Sequence, residues 1–324
     1  MLRILLIKTS SLGDIVHNFP VVSDIRQHFD DAEIDWVVEE SFSDLPRLHP
    51  AVARIIPVAF RRWRKALLNP ATWREWVHSR NAIRSVDYDV VIDTQGLLKS
   101  ALVATWANGR KVGLDWASSR EPLRPFYNET HAIPRALHAI ERNRMLAAGA
   151  LHYTLEGPPR FGARADAGSL GDEPWFEALA GTRYGVFMHA TSAESKLWPE
   201  HQWAKLGSHV SSQGVRVVLP WSSEAECARS ERLSDLIPHS IVPPRLPLAK
   251  VAALLAGARL GVGVDTGLTH LSVAMGTPTV GIYCATAPER TGVYGSPTAV
   301  NVGRRKHVPA MSEVVSAIHK LAVL

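Results

Sequence analysis

The sequence predicts an α/β protein made of two Rossmann-like domains facing each other across a cleft, each a parallel sheet covered by helices on both faces. Three observations carry this. Apolar runs of strand length alternate with segments of helical periodicity in both halves of the chain. At 324 residues the chain is longer than one core usually fills and suits two, at roughly 100–200 residues each. Residues 154–174 (TLEGPPRFGARADAGSLGDEP) lose periodicity and fill with Gly, Pro and Ala, which places the boundary there and gives domains 1–165 and 166–324.

In the first half, LRILLIK (2–8) reads as a buried strand and DIVHNFPVVSDIRQHF (14–29) as a helix that Pro20 should kink or break. EIDWVVEE (33–40) and YDVVIDTQG (88–96) read as further strands. In the second half, YGVFMHA (184–190) and VRVVLPW (215–221) are strands around a helix over 200–214 that ends at Gly214. A helix over 248–258 precedes strands at 260–265 and 279–284, and SEVVSAIHKLAVL forms a terminal helix. Doubly wound domains bind ligands beyond the carboxyl ends of their strands, so the informative loops should follow strands.

Composition removes several function classes. Hydrophobic residues make up 46% and charged residues 21%, as in a compact globular chain. The opening MLRILLI is broken by Arg3 and followed by Lys8, which suits a first strand better than a signal peptide. No apolar run approaches the ~18 residues of a membrane span, so a cytoplasmic location is expected. Two cysteines and fourteen histidines without H-E-x-x-H or a Cys/His cluster predict no built-in metal and no cofactor. The chain lacks G-x-G-x-x-G after strand one, G-x-x-x-x-G-K-[ST] and G-x-S-x-G, which weakens dinucleotide oxidoreductase, P-loop and α/β-hydrolase readings. Net charge is +5, and Arg54–Arg84 holds eight basic residues against one acid, Glu75. That segment calls for an anionic partner.

Four loops after strands could carry chemistry. In KTSSLGD (8–14), Ser10, Ser11 and Gly13 form a turn, and Asp14 is a helix cap or a base awaiting a proton. In HATSAESKLWP (189–199), Thr191, Ser192 and Lys196 suit a phosphate or diphosphate, or form an ordinary polar loop. In GVDTGLTH (263–270), Asp265, Thr266 and Gly267 open a helix whose first N–H groups attract anions, with His270 as either a core residue or a phosphate donor. In PWSSEAECARSERL (220–233), Glu224 or Glu226 stands where a ribose diol is commonly held, or simply enriches a helix start in acid.

Together KTSSLGD, FRRWRK (60–65), IDTQGLLKS (92–100), HATSAESKLWP and VDTGLTH resemble the lipopolysaccharide heptosyltransferases, with the motifs in order from residue 2 to about 283. The resemblance implies the two-domain GT-B glycosyltransferase architecture and inverting transfer of L-glycero-D-manno-heptose from ADP-heptose to Kdo of Kdo-lipid A. It implies Asp14 as general base and Lys196, Thr191 and Ser192 at the donor diphosphate. Asp265, Thr266, Gly267 and His270 match the donor-binding turn, Glu226 the ribose glutamate, with Glu224 as a substitute, and Leu246 an adenine contact. On the acceptor side, Ser10 and Ser11 border the base, and Arg61, Arg62, Arg64, Lys65 and Arg120 answer the acceptor's carboxylates and phosphates.

Trp63, Trp73 and Trp76 among these charges suit a surface resting on the anionic inner membrane, as a peripheral protein on its cytoplasmic face. Within the family the alternative is the enzyme that adds a second heptose, and the RRWRK patch favours the first. A nucleic-acid-binding module would explain the basic patch but leave the DTG turn unused, so no nucleic acid is expected as a partner. A non-catalytic nucleotide-binding protein would hold ADP without turnover.

Overall fold

The computed structural model describes residues 1–171, 173–179 and 181–324. The chain divides into two compact units, Met1–Ala163 and Arg164–Leu324, two residues before the boundary placed from composition.

The first unit is a six-stranded parallel sheet. Its strands are β1 (Arg3–Ile7), β2 (Glu33–Glu39), β3 (Val52–Val58), β4 (Asp87–Asp93), β5 (Asn108–Leu114) and β6 (Glu129–His131), in the order β3-β2-β1-β4-β5-β6. Ile4 to Ile7 are fully buried, as a strand covered on both faces requires. The order runs outward in opposite directions from the β1–β4 pair, which makes that pair the topological switch point.

The stretch read as one helix over 14–29 is two, Leu12–Val16 and Phe19–His28, parted at His17-Asn18. Pro20 is the second residue of the later helix, where its missing N–H leaves no bond unmade. Asp14 is accordingly the third residue of the short helix rather than its cap, and Ser11 is the cap.

The second unit is a five-stranded parallel sheet of β7 (Arg183–Met188), β8 (Val215–Val218), β9 (Leu260–Val264), β10 (Thr279–Tyr283) and β11 (Ala299–Gly303), in the order β11-β10-β9-β7-β8. Its switch point is the β7–β9 pair. β9 (LGVGV) lies tightly under the helix Gly267–Ala274: a Cβ on Gly263 would meet Thr269 Oγ1 at 2.1 Å, so glycine sets how closely that helix approaches. The terminal helix Met311–Lys320 buries Val314, Ala317 and Ile318 in this unit's core. Among the described residues no helix is long and apolar enough to cross a membrane.

Candidate active site

Both switch points carry the loops that the sequence singled out. In the first unit, Lys8 leaves β1 buried and donates Nζ to Thr94 O at 2.7 Å. Burial pushes its pKa down, while Asp14 and Asp93 pull it back up. One side-chain oxygen, Gln95 Oε1, then gathers three donors from the loop: Thr9 N at 2.9 Å, Thr9 Oγ1 at 3.3 Å and Ser10 N at 3.0 Å. Gln95 is held in turn by the fully buried Asp93, whose Oδ1 accepts from Gln95 N and Gly96 N and whose Oδ2 accepts from Tyr127 OH at 2.7 Å. Burial raises the Asp93 pKa against those hydrogen bonds. Lys99 Nζ donates to Ser10 Oγ at 3.1 Å.

Asp14 is half-buried at the end of this chain of bonds. Its Oδ2 accepts from Ser11 N at 2.8 Å and Ser11 Oγ at 2.9 Å, a capping box that fixes the carboxylate in one orientation. Oδ1 accepts no hydrogen bond from the described residues.

The basic patch divides once its partners are seen. Arg54 turns to Asp35 at 2.9 Å and Tyr88 OH at 3.0 Å. Arg62 is spent on Glu40, which it grips at 3.0 and 2.9 Å, and on Glu75 at 2.8 Å. Arg61 lies over the Phe42 ring at 5.0 Å, with its own N–H on Glu39. Arg64, Lys65 and Arg120 are exposed, and none forms an ion pair with a described carboxylate. Two arginines missed in the sequence lie near Arg120: Arg135 and Arg142 both donate to Ser118 O, and burial plus Arg120 and Arg135 lower the Arg142 pKa. Of the three tryptophans read as interfacial, Trp63 is instead buried in the first unit's apolar core, with its indole N–H donated to Glu75 at 2.9 Å. Trp76 is half-buried and only Trp73 is exposed.

In the second unit Asp265 is the hub. Buried at the end of β9, it accepts from Thr286 Oγ1 at 2.7 Å and pairs with Lys196 Nζ at 2.8 Å through Oδ2, while its carbonyl accepts from Thr191 Oγ1 at 2.9 Å. The loop after β7 is thereby tied to the loop after β9. Ser192 is exposed beside Thr191. Thr266 caps the helix Gly267–Ala274 by position but makes no side-chain cap bond, so the first N–H groups of that helix keep their attraction for an anion. His270 is buried one turn into it.

On the β8 side, Glu226 folds back onto its own loop, accepting from Ser222 N at 2.7 Å and Ser222 Oγ at 2.6 Å, whereas Glu224 is exposed at the first position of its helix. Leu246 is half-buried in the segment that Trp221 pins by donating Nε1 to Pro243 O at 2.8 Å. Beneath the site, His189 is fully buried with Nε2 2.9 Å from Ser230 Oγ, and burial holds its pKa down at about 3. It is a neutral polar support for the 189–196 loop. Among the described residues no group of three His, Cys, Asp or Glu is placed to hold a metal ion.

Sequence reasoning passed over Gln95, Lys99 and Lys8 as site residues although all three stand in motifs it quoted. Only the pairing of β1 with β4 shows that IDTQGLLKS supports KTSSLGD.

Residues 76–319 match Glycosyltransferase family 9 (heptosyltransferase). Lipopolysaccharide heptosyltransferase 1 of Pseudomonas aeruginosa is 45% identical over 296 residues, which is 91% of this chain and 82% of that protein. The solved structure of E. coli heptosyltransferase WaaC with ADP superposes with a TM-score of 0.90 at 38% identity, covering 99% of this chain and 100% of that one. The same E. coli enzyme with ADP-2-deoxy-2-fluoro heptose gives 0.82 at 35%, covering 99% of each chain. Two parallel α/β units with loops at both switch points, and identity of this extent, lead to one conclusion: the chain belongs to glycosyltransferase family 9, the heptosyltransferases.

Proposed function

We propose that this glycosyltransferase moves L-glycero-D-manno-heptose from ADP-heptose to a Kdo sugar of Kdo-lipid A, with inversion at the anomeric carbon. The observation that carries the reading is that each sheet's switch point presents one half of the required chemistry. The first unit offers a carboxylate fixed by Ser11, and the second a Lys196–Asp265–Thr191 cradle beside an uncapped helix N-terminus. The relatives named above support the donor, since one is an enzyme solved with ADP and with a fluorinated ADP-heptose.

In this reading Asp14 Oδ1 takes the proton of the acceptor hydroxyl as its oxygen bonds to the anomeric carbon. Base assistance of this kind is worth roughly 10²–10⁴ in rate. The bond to the ADP oxygen breaks on the opposite face, and the electron pair leaves with the diphosphate. Lys196, the Thr191 and Ser192 hydroxyls and the N–H groups at Gly267 meet that growing charge. Asp265 and Thr266 shape the turn, His270 lies one turn further in, and Leu246 contacts the adenine. Glu226 reaches the ribose by giving up Ser222, and Glu224 reaches it without that loss. Ser10, Arg61, Arg64, Lys65 and Arg120 receive the acceptor's carboxylates and phosphates, while Arg62 shapes the patch through Glu40 and Glu75. The reading calls for no cofactor. The acceptor's acyl chains set the reaction at the cytoplasmic face of the inner membrane.

The test is ADP release from ADP-heptose mixed with Kdo-lipid A, or with the already heptosylated acceptor. Turnover with the first alone supports the reading. Turnover with the second alone makes the chain an enzyme of the second heptose, and release from neither removes the function.

A further inference from the structure

The segment that opens the helix Pro70–Arg84 has no role in the chemistry above and an unusual surface. Leu67 and Leu68 form the tip of a turn and are 57% and 99% exposed, and Trp73 and Val77, one helical turn apart, are 54% and 44% exposed beside them. The Trp73 indole donates Nε1 to Leu67 O at 2.8 Å, which folds the ring over the turn and satisfies its one polar group. An indole so satisfied enters an apolar medium without losing a hydrogen bond to water. Beside this tip stand the exposed Arg64 and Lys65, just before the turn, and Arg74, next to Trp73, and the one acid of the segment, Glu75, is already taken by Arg62 and by the Trp63 indole.

We propose that the Leu67–Leu68 turn, with Trp73 and Val77, is an apolar foot that inserts among the headgroups of an anionic phospholipid bilayer. Basic side chains without a carboxylate partner beside exposed leucines and a tryptophan match the chemistry of that surface: apolar burial supplies depth, and Arg64, Lys65 and Arg74 supply attraction to anionic lipid. The apolar surface also leads toward the acceptor loop. Trp73 lies 6.3 Å from Trp76, and Trp76 lies 5.0 Å from Trp106. Leu98 and Leu102, about half exposed and one turn apart, occupy the helix whose Lys99 holds Ser10. A sugar on a membrane-held lipid therefore meets the Ser10–Asp14 loop while its acyl chains stay in the bilayer. The inference rests on the lipid-acceptor reading only for this last consequence; insertion itself does not depend on it.

The test compares the full chain with a Leu67→Ser/Leu68→Ser double variant, whose exposed side chains leave the core untouched. Sedimentation with phosphatidylcholine vesicles, with and without phosphatidylglycerol, reads insertion. Turnover on a soluble Kdo acceptor lacking acyl chains reads the chemistry. The native chain is expected to bind anionic vesicles, weakly bind neutral ones, and lose binding by about tenfold for each leucine replaced. Turnover on the soluble acceptor should stay within about twofold, because neither leucine touches the site. Vesicle binding unchanged in the double variant would overturn the proposal. So would loss, in that variant, of a concentration-dependent dimer without change in vesicle binding, which would assign the foot to a second copy of the chain. No turnover by the native chain, with vesicle binding lost in the variant, would sink the functional reading and leave the foot standing.

Discussion

Lys196 and Asp265 are joined at 2.8 Å in the second unit, so the cation expected to meet the donor's diphosphate begins its cycle on a carboxylate. The carboxylate is nearly buried and the ammonium partly exposed, an arrangement in which removing the lysine strands a charge. Lys196→Ala should lower stability by about 1–3 kcal/mol, and adding Asp265→Asn should restore most of it. Urea midpoints of the two singles and the double give the coupling. The same lysine variant should weaken ADP binding about tenfold or more in calorimetry, whether or not Asp265 is replaced. If ADP binds the lysine variant as tightly as the native chain, Lys196 has no part in holding the diphosphate.

Asp14→Asn keeps the size of the side chain and an oxygen for the Ser11 hydrogen bonds but cannot take a proton. It should lose roughly 10²–10⁴ in turnover with ADP affinity unchanged. Steady-state ADP release and calorimetry separate the two, and a variant of native speed would remove Asp14 from the proton transfer.

Gln95 is a positioning residue. Replacing it with Leu leaves Thr9 N and Ser10 N without their shared acceptor, at a cost of about 1–3 kcal/mol. Turnover should fall with ADP binding intact, since the donor loops belong to the other unit. Gln95→Glu keeps an acceptor oxygen and should recover the stability better than the Leu variant does.

His189 predicts a pH dependence of stability. Its ordinary value is 6.5 and burial holds it at about 3 in the fold, so the unfolded chain binds a proton that the folded chain refuses. The contribution is complete above pH ~6.5 and is lost as pH falls toward 3, at ~1.4 kcal/mol per unit. Between pH 7 and 5 the native chain should therefore lose about 2 kcal/mol more than His189→Gln. Denaturant curves at the two pH values decide, and parallel losses would mean that His189 titrates normally.

Gly263→Ala would drive a methyl against Thr269 Oγ1, which itself donates to Val264 O at 2.7 Å. Overpacking of this kind costs about 1–3 kcal/mol and should lift the Gly267 turn away from β9. Combining it with Thr269→Ala removes the obstructing oxygen and should regain part of the loss, in thermal melts and in ADP affinity alike.

The sequence made the architecture legible where strands are wholly apolar. LRILLIK, YGVFMHA, LGVGVD and TVGIYC all correspond to buried central strands. It left β3, β5, β6 and β11 unread. β3 carries Arg54 and Pro57, tolerated because it pairs only with β2 at the sheet edge, and β5 opens on Asn108-Gly109-Arg110-Lys111. The four loops were found because chemistry concentrates polar residues after strands; the structure ties two of them together, Thr191 to Asp265, and ties the 8–14 loop through Thr9 to Gln95, which had not been singled out. What charge counting could not give was commitment. Arg54 and Arg62 looked like ligands for an anion until Asp35, Glu40 and Glu75, two of them outside the counted segment, took them. Trp63 and Trp73 stand in the same run and differ only in which way the chain turns them, a three-dimensional fact.

The bonds at Glu75 have a mechanical consequence. This one carboxylate receives the Trp63 indole from the segment before the exposed turn and the Arg62 guanidinium that also grips Glu40 beyond β2. Side-chain bonds through Glu75 and Arg62 thus join the segment before the exposed turn, the helix Pro70–Arg84 and the loop after β2. Both Arg62 pairs are half-exposed, so raising the salt concentration should weaken this tie at the base of the turn before it loosens the core.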